Sequence, residues 1–185
     1  MDIRRLGIPD VVEFVPQKHD DGRGFFAETY SRQRFAGAGF AIDWVQDNQS
    51  FSAEGHVLRG LHFQVAPFAQ DKLIRVLRGS IFDVAVDIRP GSEACGKWVS
   101  CVLSAEKFNQ LLVPKGFAHG FLTLEPATEV FYKVSAPYAP AADRTVRFDD
   151  PALGIEWPLA GAAPQLSDKD RKAPLLAAIA AEIAF

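Results

Sequence analysis

Residues 72–88 read KLIRVLRGSIFDVAVDI. Two apolar runs, 72–77 and 81–88, flank Arg78-Gly79-Ser80. A glycine-centred break between such runs is a hairpin signal, so the stretch predicts two strands joined by a tight turn. Successive strand side chains point to opposite faces. Lys72, Ile74 and Val76 therefore share one face, and Ile81, Asp83, Ala85 and Asp87 share a face of the next strand. Lys72 and Asp83 enter faces that otherwise read as core. A strand-end lysine can also carry its ammonium to water along an apolar stem, so Lys72 alone does not make a site.

Upstream, residues 46–64 read QDNQSFSAEGHVLRGLHFQ. Alternation puts His62 and Gln64 on one face and Leu61 and Phe63 on the other. The apolar pair can pack while His62 points at whatever lies opposite, poised to move protons near neutral pH. Nearer the start, 11–15 alternates as an edge strand, and 25–30 and 42–46 read as short strands. Ser31 can cap a short helix over 32–38, closed by Gly39. Downstream, 97–103, 108–113, 129–134 and 145–148 read as strands. Ser167 can start a helix whose Ala-rich continuation is 173–183. Many short strands between Gly and Pro turns predict an all-β fold, a jelly roll or cupin-type barrel with short peripheral helices and a C-terminal helix. The expected organisation is one domain over 1–185, with a jelly-roll core of about 25–150 and a helical tail of about 167–185.

Bulk properties bound the function. The 185 residues are 48% hydrophobic, enough for a sizeable core, and the net charge of −3 comes with no basic run. Nucleic acid is therefore an unexpected partner. Fifteen phenylalanines against one methionine favour a rigid β core. No signal peptide or long apolar span is evident, so a cytoplasmic protein without membrane contact is expected. Cys95 and Cys101 have the spacing of neither a disulfide framework nor a zinc knuckle, and reduced thiols are the default.

The polar groups on strand faces are His62, Lys72, Asp83, His119 and Tyr132, with Arg23, Glu28, Gln46, Asn48 and Arg59 as anion and amide binders. Pro114-x-Gly116-x-x-His119 looks like the second half of a cupin metal signature. The first half offers His62 alone, and two histidines fall short of a metal's usual three or more ligands. No metal is expected. Histidine, lysine and tyrosine together suit enolate chemistry: a base beside a carbonyl, a cation on the oxyanion, and an acid on the other side. The arginines suit a phosphate or pyrophosphate.

The chain resembles the dTDP-4-dehydrorhamnose 3,5-epimerases over nearly its whole length. The resemblance runs through Arg23-Gly24-Phe25-Phe26 with Glu28, QDNQS at 46–50, VLRGLHFQ at 57–64, and KLIRVLRGSIFDVAVDIR at 72–89. GKWVS at 96–100, LSAE at 103–106, VPKGFAHGF at 113–121, FYK at 131–133, DDPALGIEWP at 149–158 and LSDKD at 166–170 complete it. The resemblance implies a cupin-type homodimer without metal or cofactor that converts dTDP-4-dehydro-6-deoxy-D-glucose to dTDP-4-dehydro-L-rhamnose through enolates at C3 and C5. It implies His62 as base, Asp170 as its holder, Tyr132 as acid and Lys72 as enolate stabiliser, with His119 at the sugar. Substrate contacts are implied for Arg23, Glu28, Gln46, Asp47, Asn48, Arg59, Tyr138, Asp143 and Lys169, Tyr138 by stacking on thymine. Asp143 stands where the family usually has glutamate. Two alternatives remain: an epimerase acting only at C3 or on another nucleotide-linked 4-keto sugar, and a non-catalytic cupin that only binds such a sugar.

Overall fold

The computed structural model describes all 185 residues. In chain order the first strands are β1 (Asp2–Arg5), β2 (Val12–Val15), β3 (His19–Asp21) and β4 (Gly24–Phe26), then helix α1 (Arg32–Gly37). There follow β5 (Gln46–Ser52), β6 (Leu58–Gln64), β7 (Lys72–Arg78), β8 (Ser80–Asp87) and β9 (Trp98–Ser104). The last strands are β10 (Gln110–Val113), β11 (Phe117–Thr123), β12 (Thr128–Val134) and β13 (Asp143–Thr145). Two short helices close the chain, α2 (Asp168–Arg171) and α3 (Leu176–Ile179), the latter running into a 3-10 turn at Ala180–Glu182.

The strands form a six-stranded sheet in the order β1-β2-β10-β7-β12-β5 and a five-stranded sheet in the order β13-β6-β11-β8-β9. All pairings within them are antiparallel. Three apolar clusters hold the layers. Ile74, Val76, Ile81, Ala85, Leu103, Leu111 and Phe121 belong to the cluster between the sheets. Leu61, Phe63, Val84 and Val86 carry the outer face of the five-stranded sheet onto the C-terminal segment through Val146, Leu153 and Ile179. Phe14, Leu73 and Leu112 pack the other sheet's outer face beneath Phe35 of α1. The expected alternation is seen directly: Leu61 and Phe63 pack outward, while Ile74, Val76, Ile81 and Ala85 pack inward.

The expected hairpin at 72–88 is not one. β7 lies in the six-stranded sheet and β8 in the five-stranded sheet, so the chain crosses between layers at Gly79. Gly79 has φ +78°, and a Cβ there would lie 2.4 Å from Thr128 Oγ1. Glycine satisfies both the left-handed backbone and the close approach. The expected edge strand at 11–15 is also corrected. β2 is flanked on both sides, because the charged DIRR segment of β1 covers what would be its open edge. The Ala-rich tail does not form one helix from 173 to 183. Pro174 lacks an N–H to continue the ladder, and the tail breaks into α2, α3 and a 3-10 turn. The capped helix after Ser31 is present as expected, with Ser31 Oγ accepting from Arg34 N.

The Gly79 crossing should be costly to alter. Gly79→Ala should lower unfolding free energy by about 1–3 kcal/mol, the scale of a strained positive-φ residue with a steric clash. Urea titration followed by circular dichroism measures it, and an unshifted midpoint would count against this account.

Candidate active site

At one end of the inter-sheet space lies a cleft with two limbs. The first encloses about 450 Å³, and its lining includes Ser50, Arg59, His62, Lys72, His119 and Tyr132. Asp170 and Lys169 of α2 close it. The second encloses about 300 Å³ and brings in Gln46, Asn48, Tyr138 and Asp143. His62, Lys72, Tyr132 and Lys169 line both limbs, so the two form one continuous site.

The two sheets supply opposite walls. His62 and His119 come from β6 and β11 of the five-stranded sheet, where they are direct cross-strand partners. Tyr132 and Lys72 come from β12 and β7 of the six-stranded sheet. Close backbone contact fixes the first wall: a Cβ on Gly60 would fall 2.5 Å from Gly120 Cα. Only glycine permits β6 and β11 to approach this closely.

His62 Nε2 lies 2.5 Å from Asp170 Oδ1. An ionised carboxylate only accepts, so Nε2 carries the proton and Nδ1 is left as the basic nitrogen. Burial lowers the His62 pKa more than the Asp170 bond and charge raise it, and Lys72 and Lys169 push the same way as burial. The ring is therefore neutral, and its free Nδ1 is able to accept a proton. Burial alone would raise the Asp170 carboxyl, but the His62 hydrogen bond and charge, the Ser167 cap and Lys169 hold it below the usual range. Tyr132 is pushed up by burial, against a smaller pull from Arg59, and so keeps its phenolic proton.

Lys72 is 8% exposed. Its Nζ donates to the His62 carbonyl at 3.2 Å. Burial lowers its pKa to about 8, with Asp143 and Asp83 opposing the shift and Lys169 adding to it. It is a cation at neutral pH, though only by a narrow margin. Asp143 accepts from both Tyr138 Oη and Lys169 Nζ, which ties the strand, the loop and α2 together at the cleft mouth.

Three residues expected at the site are not in this cleft. Asp47 lies on the outer face of β5, paired with Lys133, because alternation that turns Gln46 and Asn48 inward turns Asp47 outward. Arg23 is exposed at the β3–β4 tip, paired with Asp21. Glu28 pairs with Arg34 and lines a separate small cavity. The cleft also holds residues not anticipated. Ser50 continues the inward face of Gln46 and Asn48, so alternation could have found it. Gln165 arrives through an isolated parallel bridge with Val57, for which no local signal exists. No three His, Cys, Asp or Glu side chains converge to hold a metal ion, and no helix is long and apolar enough to cross a membrane.

Comparison with known proteins places this geometry. A family model described as dTDP-4-dehydrorhamnose 3,5-epimerase matches residues 5–178. A dTDP-4-dehydrorhamnose 3,5-epimerase of Sinorhizobium fredii is 49% identical over 95% of this chain and 90% of its own length. A dTDP-6-deoxy-D-glucose-3,5-epimerase of Legionella pneumophila, solved with dTDP-4-keto-L-rhamnose, is 42% identical with a TM-score of 0.94, covering 100% of this chain and 98% of that one. A dTDP-4-dehydrorhamnose 3,5-epimerase of Bacillus anthracis, solved with TDP and pyrophosphate, is 45% identical with a TM-score of 0.89, covering 94% and 99%.

The Lys72 environment sets a pH dependence. As pH rises through about 8, Lys72 in the free enzyme loses its charge, and kcat/KM should fall on that limb. Its folded pKa lies below the unfolded value, so between the two the unfolded chain binds more protons and this group's contribution to stability rises with pH. Activity and stability should therefore part on the alkaline side. A flat kcat/KM profile to pH 10 would show that the lysine charge is not used.

Proposed function

We propose a mechanism from one premise: the chain belongs to the dTDP-4-dehydrorhamnose 3,5-epimerase family and is an isomerase of dTDP-L-rhamnose biosynthesis. The substrate is a dTDP-linked 4-keto-6-deoxy sugar held with its ring between the two sheets. Nδ1 of His62 takes a proton from the carbon beside the C4 carbonyl. The electron pair left on carbon moves into the carbonyl, and the Lys72 ammonium stabilises the oxyanion. Tyr132 delivers a proton to the opposite face of that carbon while the carbonyl reforms. His62 then loses its proton and Tyr132 regains one from solvent, and the same pair serves C3 and C5 in turn. Asp170 holds the His62 ring and supports its cation.

The observation that carries this reading is the origin of the two groups. His62 and Tyr132 come from different sheets and line the same cleft. A lone base returns the proton to the face it came from, whereas inversion needs a donor across the ring. In the second limb, Tyr138 is 58% exposed and offers a flat aromatic face for the base. Gln46, Asn48, Arg59, Asp143 and Lys169 are assigned to the rest of the nucleotide.

A homodimer accounts for the residues left outside the cleft. The two-stranded β3–β4 hairpin projects Phe25 and Phe26, 54% and 73% exposed. Leu77 and Phe51 are also exposed on the six-stranded sheet. Apolar surface of this kind fits an isologous contact. In that dimer the hairpin of one copy delivers Arg23, and the segment just after it Glu28, to the nucleotide bound by the other. The charge of Arg23 suits the diphosphate.

Two experiments test these assignments. Tyr132→Phe keeps the ring and its packing, and substrate hydrogen should still wash out in heavy water. Inverted product should fall about a hundredfold or more, the scale of a lost general acid. Equal loss of exchange and inversion would remove Tyr132 from the donor role. Arg23→Ala and His62→Ala chains, each nearly inactive alone, should regain activity when co-refolded. Each mixed dimer then holds one site with both residues, giving about a quarter of the wild-type site count for random pairing. No complementation would put Arg23 to work within its own chain, or nowhere.

A further inference from the structure

Four carboxylates are almost completely buried: Asp83, Asp87, Asp150 and Asp170. Three have evident duties. Asp87 grips Arg89 and Ser92. Asp150 accepts from the backbone N–H groups of Ala152 and Leu176. Asp170 holds His62. Asp83 is 0% exposed, and its only hydrogen-bond partner is His119, whose Nε2 lies 2.9 and 3.0 Å from its two oxygens. Its neighbours along the inward face, Ile81 and Ala85, are pure core. Burying a carboxylate among them is costly, and an apolar side chain would serve packing at least as well.

The geometry of His119 suggests what the cost maintains. Its ring lines the cleft next to His62, its cross-strand partner. With Nε2 turned to Asp83, Nδ1 is the only ring nitrogen left for a ligand, and it bonds to no protein atom. We infer that Asp83 is a positioning residue of the epimerisation, acting through His119: it holds the Nε2–H of that ring and so presents Nδ1 to a polar group of the sugar beside His62. This rests on the cleft being the sugar site. The carboxylate accepts from Nε2 whether the ring is neutral or charged, so Nδ1 faces the sugar in either state. The ring then acts as a fixed stop that sets the attacked carbon against His62 Nδ1, and an ångström of misplacement there is enough to slow proton transfer. Two other groups face Asp83, Lys72 across the sheets and Cys101, its cross-strand partner on β9.

The test begins without any variant. In wild-type enzyme labelled with 15N-histidine, His119 should carry its proton on Nε2, and a neutral ring protonated on Nδ1 would overturn the inference. Asp83→Leu keeps the branched shape and removes the acceptor. It should lose the single His119 tautomer and lower kcat by about ten- to a hundredfold, with a smaller change in KM. Asp83→Asn retains one acceptor oxygen and should recover part of both. In a His119→Ala background, Asp83→Leu should add little further loss. Undiminished loss in that background would mean that Asp83 acts elsewhere, Lys72 being the nearest alternative, and would sink the inference, as would wild-type kcat in Asp83→Leu. Failure of the His62 assignment is read separately: His62→Ala would still exchange substrate hydrogen while the His119 tautomer remained as stated.

Discussion

The crossing of the chain at Gly79 fixes most of what this protein can do. Two strands that are neighbours in sequence are sent to opposite sheets, so Lys72 at the start of one and Asp83 within the next meet across the interior and not side by side. Had the turn closed as a hairpin, both would have lain in one wall. At the crossing Gly79 adopts a positive φ with Thr128 packed so close that a Cβ could not be added without a clash. The remainder of the site follows from the crossing. β7 carries Lys72 beside the strand of Tyr132, while β8 carries Asp83 beside the strand of His119.

Inside this arrangement, burial decides the direction of the shift for His62, Lys72 and Tyr132, while attraction decides it for Asp170. Desolvation is the largest influence on His62, Lys72, Asp170 and Tyr132 alike. It favours a neutral His62 and a protonated Tyr132, and it weakens the hold of Lys72 on its proton. The carboxylates work against it locally. Asp170 stops His62 from becoming too weak a base, and Asp143 with Asp83 keeps Lys72 charged. A buried lysine whose only hydrogen bond is to a backbone carbonyl is poised to meet a developing negative charge, because no carboxylate is bonded to it in the resting protein.

Much of this could be read from strand alternation. The outward Leu61 and Phe63, the inward Lys72, Ile74 and Val76, and the inward Asp83 all follow from a period of two. The same rule, applied to Gln46 and Asn48, puts Asp47 outside and Ser50 inside. The structure agrees with the alternation at both positions. Strand partnership was not legible. Nothing local in RVLRGSIFD distinguishes a turn within one sheet from a crossing between two, since glycine serves both. The broken tail was masked by its alanines, although Pro174 was the visible warning. Gln165 enters the cleft through a long-range bridge, and such a contact leaves no trace in the residues around it.

The carboxylate bonded to His62 sits in the last tenth of the sequence. Asp170 is held by the Ser167 cap on a four-residue helix, in a segment that docks along the back of the five-stranded sheet. A ribosome releases that segment after every strand has emerged. The strands alone therefore carry His62 but not the carboxylate that its ring is bonded to. The segment that brings this carboxylate to His62 is also the one that covers Leu61, Phe63, Val84 and Val86, so the setting of the ring and the closure of that apolar face arrive together.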